Sequence, residues 1–246
     1  MEQNMTLNLN KIKAIKIESS RFMMPYKFAL DEINTKINIL KEEFTYLHDY
    51  NPIEHVTSRV KSVESIVKKI SRKDLDISLD AIKNEIRDIA GVRITCSFIS
   101  DIYRIKEMLI NQKDIKLIEC KDYIKDPKPN GYRSLHLLVE IPIFLSDREV
   151  LTPVEIQVRT IAMDFWASLE HKIFYKYNKD IPQTLIDELK EAAESAAELD
   201  VKMEHLNREI KKFKVQDSPL ENSITEQILH PLQLLEHAVK SEEFDE

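Results

Sequence analysis

Two stretches of this chain carry side chains able to act on a phosphate. Residues 87–98 read RDIAGVRITCSF, with Asp88 at the mouth of a run of β-formers and Arg93 five residues further on. A carboxylate at a strand mouth can serve a metal-bound polyphosphate, and a nearby guanidinium can pair with its oxygens. Residues 150–160 read VLTPVEIQVRT, where Val154, Ile156 and Val158 alternate with Glu155, Gln157 and Arg159. Period-2 alternation points those three polar side chains off one face of a strand.

A third stretch, residues 131–142, adds an aromatic and an imidazole. Its parity puts Tyr132, Ser134, His136 and Leu138 on one face and Arg133, Leu135, Leu137 and Val139 on the other. Cations gather earlier in the chain, where Arg59, Lys61, Lys68, Lys69, Arg72 and Lys73 surround the apolar row Val63, Ile66, Val67 and Ile70. Taken singly, each group reads as readily as a solvated polar face. Their value lies in being brought together.

The elements that must position them follow from periodicity. Residues 22–50 are helical in pattern, with Phe28, Ile33, Ile37, Leu40 and Phe44 as the apolar row, and Asn51-Pro52 ends them. The basic helix comes next, then a short helix over 79–86 and the first expected strand. Asp88 and Arg93 have odd spacing, so strict alternation would place them on opposite faces. Either Gly91 makes a bulge, or Asp88 precedes the strand. A helix over 101–111, capped by Ser100 or Asp101, leads to a second strand over 114–120. A loop with two prolines joins it to the third strand, and Pro153 argues for an edge or strand start in the fourth. Residues 161–177 then form a helix with Trp166 and Phe165 in the core. The expected architecture is α+β, a small mixed sheet flanked by helices.

Composition narrows the chemistry. The chain has 246 residues and only two glycines, Gly91 and Gly131. A Walker loop or dinucleotide fingerprint needs several glycines to bring backbone amides to phosphates, so side chains must hold any nucleotide here. Cys96 and Cys120 lack metal-ligand spacing and read as reduced, buried thiols of a cytoplasmic protein. No apolar run nears the roughly 18 residues of a membrane span, and the N-terminus lacks an apolar signal core. Residues 183–246 carry 7 Lys+Arg against 16 Asp+Glu, and the preceding 182 carry 29 against 27. A near-neutral body with local basic clusters suits phosphorylated small molecules better than extended nucleic acid. The expected divisions are a flexible or short helical arm over 1–21, a catalytic domain over 22–182 and acidic C-terminal helices over 183–246. Those helices (184–213 and 224–239) suit packing or oligomerisation, and the final SEEFDE is expected to be disordered.

Taken in order, Arg59-Val60-Lys61, RDIAGVRITC, PKPNGYRSLH and VEIQVRTIAMDFWASLEHK resemble (p)ppGpp synthetases. With one synthetase-sized domain, the chain is similar to the small alarmone synthetases over about residues 25–177. That resemblance implies a nucleotidyltransferase-like sheet and transfer of the β,γ-pyrophosphate of ATP to the 3′-hydroxyl of GDP or GTP. Asp88 matches a Mg²⁺-binding aspartate. Glu155 matches the carboxylate that activates the hydroxyl and helps hold metal. Arg59 and Arg93 match an adenine sandwich, which replaces the phosphate role first read for Arg93. Lys61, Lys69 and Arg72 match cations on the ATP phosphates, while Lys68 and Lys73 read as exposed charge. Tyr132 matches a guanine-stacking tyrosine, His136 and Gln157 line the acceptor side, and Lys121 and Lys128 match its phosphate cations. Such enzymes are often homotetramers, and the resemblance implies a homo-oligomer, a tetramer, here; product stimulation by (p)ppGpp and single-stranded RNA inhibition are found among them too, and the sequence leaves those two open.

The chain departs from those relatives at Ser58, at Asp164, where some carry asparagine, and at the ECKD of 119–122. The last leaves GDP against GTP undecided. His48-Asp49 lacks a metal-hydrolase surrounding, so no alarmone hydrolysis is expected. Two further readings stand beside the first: a pyrophosphokinase acting on an adenine nucleotide or a tRNA end, and a non-catalytic nucleotide or RNA sensor.

Overall fold

The structure, a computed structural model, describes residues 2–48, 50–76, 78–174 and 181–216. Five strands form one sheet in the order β1-β2-β5-β4-β3, with β2 and β5 parallel and the other neighbours antiparallel. They are β1 (Ile53–Val60), β2 (Ala90–Cys96), β3 (Lys116–Asp122), β4 (Leu135–Phe144) and β5 (Glu149–Thr160). The helices are α1 (Glu2–Leu47), α2 (Val63–Lys73), α3 (Leu79–Glu85), α4 (Ile99–Ile110), α5 (Ile161–Phe174) and α6 (Gln183–Gln216). The sheet is mixed, as expected.

One face of the sheet is apolar because alternate residues of every central strand are. Val92 and Ile94, Ile156 and Val158, and Leu135, Leu137 and Val139 are all buried there. α1 and α4 pack against the sheet. They contribute Ile33 and Ile37, and Ile102, Ile105 and Leu109. Each such side chain contributes about 1.5–3 kcal/mol on burial, so this layer stabilises the sheet and frees its other face for chemistry.

Several expectations change here. The expected arm and the helix expected from 22 share one helix: α1 runs unbroken through Pro25 from Glu2. Its buried row is Tyr26, Ala29, Leu30, Ile33, Ile37 and Phe44, and Phe28 is exposed. β1 was not expected as a strand, because its polar residues occupy an edge and leave little alternation to read. Asp88 lies in the turn before β2, and the ladders on both sides of Gly91 run without a bulge. α4 starts earlier than predicted: Phe98 is its N-cap, and Asp101 accepts from the Phe98 N–H at 3.1 Å. β5 is central, yet Pro153 sits one residue before the β2 ladder begins at Val154, where β5 is paired on one side. Cys120 is exposed on β3, unlike the buried Cys96. Phe165 is exposed on α5, whereas Trp166 is buried and donates to the Leu189 carbonyl at 3.0 Å.

Backbone contacts divide the chain into two compact units, residues 1–201 and 202–246. In the first, α6 lies against the loop before β4. Gly131 has φ +87°, and a Cβ there would come 2.5 Å from the Ala193 Cβ, so both conformation and space call for glycine. In the second, the described residues end the helix, with Arg208 bonded to Glu204 and Lys212 to Glu209. The expected helix over 224–239 and the SEEFDE tail lie outside the described residues.

Candidate active site

Register builds the polar face. Arg59, Gly91, Glu155, Leu138 and Glu119 form one cross-strand row; Thr57, Arg93, Gln157, His136 and Lys121 form the next. Five strands therefore bring residues distant in sequence to adjacent positions on one surface.

Asp88 enters from the turn before β2. Its Oδ2 meets Lys61 Nζ at 2.7 Å and Lys69 Nζ at 2.8 Å. Burial pushes the Asp88 carboxyl up, but hydrogen bonds and charge from the two lysines outweigh it and hold the group below the usual carboxylate range. Its other oxygen, Oδ1, is buried without a hydrogen-bond partner. An ionised carboxylate with one oxygen left over fits a Mg²⁺ ligand, since Mg²⁺ takes one or two protein carboxylates and completes its shell with water and substrate phosphate.

Glu155 belongs to a closed ring of polar contacts. Gln157 Nε2 donates to Glu155 Oε2 at 2.9 Å, and Arg159 Nη2 donates to Gln157 Oε1 at 2.8 Å. The same Nη2 donates to the Tyr132 hydroxyl at 2.6 Å, which meets His136 Nε2 at 2.7 Å. His136 Nδ1 closes the ring on Glu155 Oε1 at 3.5 Å. Arginine can only donate, so the phenol oxygen accepts from Arg159 and the tyrosine proton is free to point at Nε2. Burial and the Asp88 charge push the Glu155 carboxyl up, but His136 and Gln157 outweigh them and keep it below its ordinary value.

Two cavities meet at these carboxylates. The larger, of about 430 Å³, is walled by Lys69, Lys73, Arg87, Lys121, Tyr123, Lys128 and His136 as well as Asp88 and Glu155. The smaller, of about 240 Å³, is walled by Thr57, Ser58, Arg59, Gly91, Arg93 and Gln157 with the same Asp88 and Glu155. A cation-rich chamber and an arginine-flanked slot thus share one acidic boundary.

Of the residues singled out in the sequence, Asp88, Glu155, Arg59, Arg93, Lys69, Lys121, Lys128, His136 and Gln157 line one or both cavities. Lys61 reaches Asp88 from behind. Tyr132 lies beside the larger chamber, its ring 4.7 Å from Lys128 Nζ and 5.1 Å from the Arg159 guanidinium carbon. Arg72 is exposed at the end of α2 and lines neither cavity. Lys73, read as mere exposed charge, is on the chamber wall, while Lys68 pairs with Glu64 on the surface.

Sequence reasoning missed Arg159 as a site residue, and also Asp164, Tyr123 and Arg87. The first was legible only as part of a polar row, yet it is buried and its guanidinium holds the ring together. Asp164, in the first turn of α5, accepts from Arg159 and forms an ion pair with Arg93. Tyr123 follows β3 in a loop whose sequence carries no periodic signal.

A one-faced mixed sheet with two carboxylates between two cation-lined cavities defines a nucleotide-handling transferase. The model of the region found in RelA / SpoT proteins matches residues 58–180, and the chain belongs to that family, among its small alarmone synthetases. It is 52% identical over 203 residues to the GTP pyrophosphokinase YwaC of Bacillus subtilis (strain 168), covering 82% of this chain and 97% of that one. The small alarmone synthetase 2 structure from Bacillus subtilis superposes with a TM-score of 0.69 at 55% identity, covering 76% and 96%. The small alarmone synthetase 1 structure from the same organism, bound to its product pppGpp, gives 0.73 at 42%, covering 78% and 98%. The same synthetase 1 bound to AMPCPP gives 0.67 at 38%, covering 79% and 98%.

Proposed function

We propose that the protein transfers the β,γ-pyrophosphate of ATP to the 3′-hydroxyl of GDP or GTP, making ppGpp or pppGpp. The observation that carries this reading is the shared boundary: Asp88 and Glu155 wall both cavities. A donor in the slot and an acceptor in the chamber would meet at those two side chains.

On this reading Arg59 and Arg93 flank the adenine, and Lys61 and Lys69, both bonded to Asp88, face the ATP phosphates, with Arg72 exposed beyond them. Asp88, with Glu155 beside it, would hold Mg²⁺, which when bound supplies neutralisation of polyphosphate charge. Transfer of this kind needs positioning and electrostatic stabilisation above all, and the lysines provide fixed positive charge in a half-buried site. Glu155 is ionised at neutral pH and takes the proton of the 3′-hydroxyl. A base held below the ordinary carboxylate range removes that proton only as the new O–P bond forms. His136, oriented by Tyr132, keeps Glu155 ionised and aimed. A guanine stacking on Tyr132 would displace Lys128 from that ring, towards the acceptor phosphates that Lys121 also faces.

The reading extends to a cytoplasmic enzyme assembled as a homotetramer. The exposed apolar residues Met203, Leu206, Ile210 and Phe213 of α6 suit assembly through the acidic C-terminal segment. Light scattering should show a loss of mass on removal of residues 202–246, a cut that spares the Gly131–Ala193 contact. An unchanged subunit number would overturn that part.

Labelled ATP offered with GDP, GTP, an adenine nucleotide or tRNA tests the activity itself. Label on GDP or GTP is the expected outcome. Label confined to another acceptor, or on none, would replace this function by the corresponding alternative.

A further inference from the structure

Arg93 and Arg159 bring two guanidinium groups onto a single oxygen. Asp164 Oδ1 lies 3.2 Å from Arg93 Nη1 and 3.1 Å from Arg159 Nη1. The two cations are held very differently. Arg159 is buried and keeps three other partners: the Tyr132 hydroxyl, Gln157 Oε1 and Ser134 Oγ, the last at 3.4 Å. Arg93 is half-exposed on the slot wall, and its Nε is buried with no hydrogen-bond partner. Asp164 is its one ion-pair partner among the described residues. Burial, and then the charge of Arg159, make it harder for Arg93 to carry its own charge, with Arg59 adding to the repulsion; Asp164 opposes both.

We infer that Asp164 is a positioning residue for the donor base: it holds the Arg93 guanidinium against the slot by cancelling the charge of Arg159. The inference rests on the proposed role of Arg93 as one side of the adenine clamp. Without the Asp164 charge, Arg159 stays where its other hydrogen bonds fix it, and Arg93 is the group that moves. Asparagine at this position keeps an acceptor oxygen and loses the charge. The substitution therefore separates hydrogen bonding from charge cancellation, with little change in shape.

The test is equilibrium binding of AMPCPP by calorimetry, with steady-state kinetics, for wild type, Asp164→Asn, Arg93→Ala and the double variant. Arg93→Ala alone should weaken AMPCPP binding, and Asp164→Asn should weaken it about five- to tenfold, on the scale of one charge-assisted contact. KM for ATP should rise in step, with KM for GDP within about twofold and kcat within about threefold of wild type. In the Arg93→Ala background, Asp164→Asn should add nothing. If Arg93→Ala leaves AMPCPP binding intact, the clamp reading itself fails. If Arg93→Ala weakens binding but Asp164→Asn does not, or if the two effects add, the positioning role is overturned. Equal loss of both nucleotides in a variant that melts early would make Asp164 merely structural and overturn it too.

Discussion

The Tyr132 hydroxyl lies 2.7 Å from His136 Nε2, and His136 Nδ1 lies 3.5 Å from Glu155. The same hydroxyl accepts from Arg159, a buried arginine on the neighbouring strand. The Tyr132 phenol is therefore linked to Glu155 on both sides, through the His136 imidazole and through Arg159 and Gln157.

Tyr132→Phe isolates that linkage, because it keeps the ring and removes the hydroxyl. Arg159 retains other acceptors, so the fold should survive at a cost of about 1–2 kcal/mol. Steady-state kinetics should show kcat falling about three- to tenfold with KM for GDP little changed, the mark of a lost aim rather than a lost contact. A change confined to KM would instead place the hydroxyl in direct acceptor binding.

Asp88 makes stability depend on pH in a definite direction. Its folded carboxyl titrates below its ordinary value, so its contribution is fully present above the ordinary carboxylate range and is lost as pH falls through the lower folded value. Asp88→Asn leaves Lys61 and Lys69 facing each other without an anion. Urea titrations at neutral pH should find the variant less stable by about 1–3 kcal/mol, and the gap should close as the solution is taken below about pH 4. A gap that persists into strong acid would mean the contribution is not ionic.

The two glycines should respond in opposite ways to alanine. At Gly91 a Cβ would meet only the Arg59 carbonyl oxygen, at 3.9 Å, so the fold should tolerate it. The added methyl stands between Arg59 and Glu155 on the slot wall, and ATP binding should weaken a few-fold, about 0.5–1 kcal/mol. At Gly131 the positive φ and the 2.5 Å approach to Ala193 should cost about 2–4 kcal/mol of stability, visible as a lower melting temperature. Equal melting temperatures for the two variants would contradict this division.

Lys69 and Arg72 lie three residues apart on α2, and their surroundings rank them. Lys69 bonds Asp88 and lines the chamber, while Arg72 is exposed beyond it. Lys69→Ala should raise KM for ATP about tenfold or more, and Arg72→Ala about threefold or less, as for a screened surface charge. Comparable effects would show that Arg72 reaches the phosphates from its exposed position.

Much of this site was legible because strands announce themselves by alternation. Glu155, Gln157 and Arg159 could be placed on one face from spacing alone, and the Tyr132–His136 pairing from parity. Register was not legible: nothing in the sequence says that Gly91 pairs with both Arg59 and Glu155, because ladder partners are chosen in three dimensions. β1 escaped because an edge strand with polar side chains lacks the alternation that marks a buried one. Asp164 escaped for a different reason. Its one sequence signal was that some relatives carry asparagine there, and its pairing with two strand arginines arises only on packing.

The most direct test of the account is the fate of both phosphates in one turnover. ATP carrying distinguishable labels at its β- and γ-phosphorus, incubated with the enzyme, Mg²⁺ and GDP, should yield AMP and a guanosine 3′-diphosphate product one for one. Both labels should lie on the 3′-position, and Glu155→Gln should slow their appearance at least about a hundredfold, the scale expected of a lost general base. Formation of ADP with a single transferred label, or full product formation by Glu155→Gln, would contradict it.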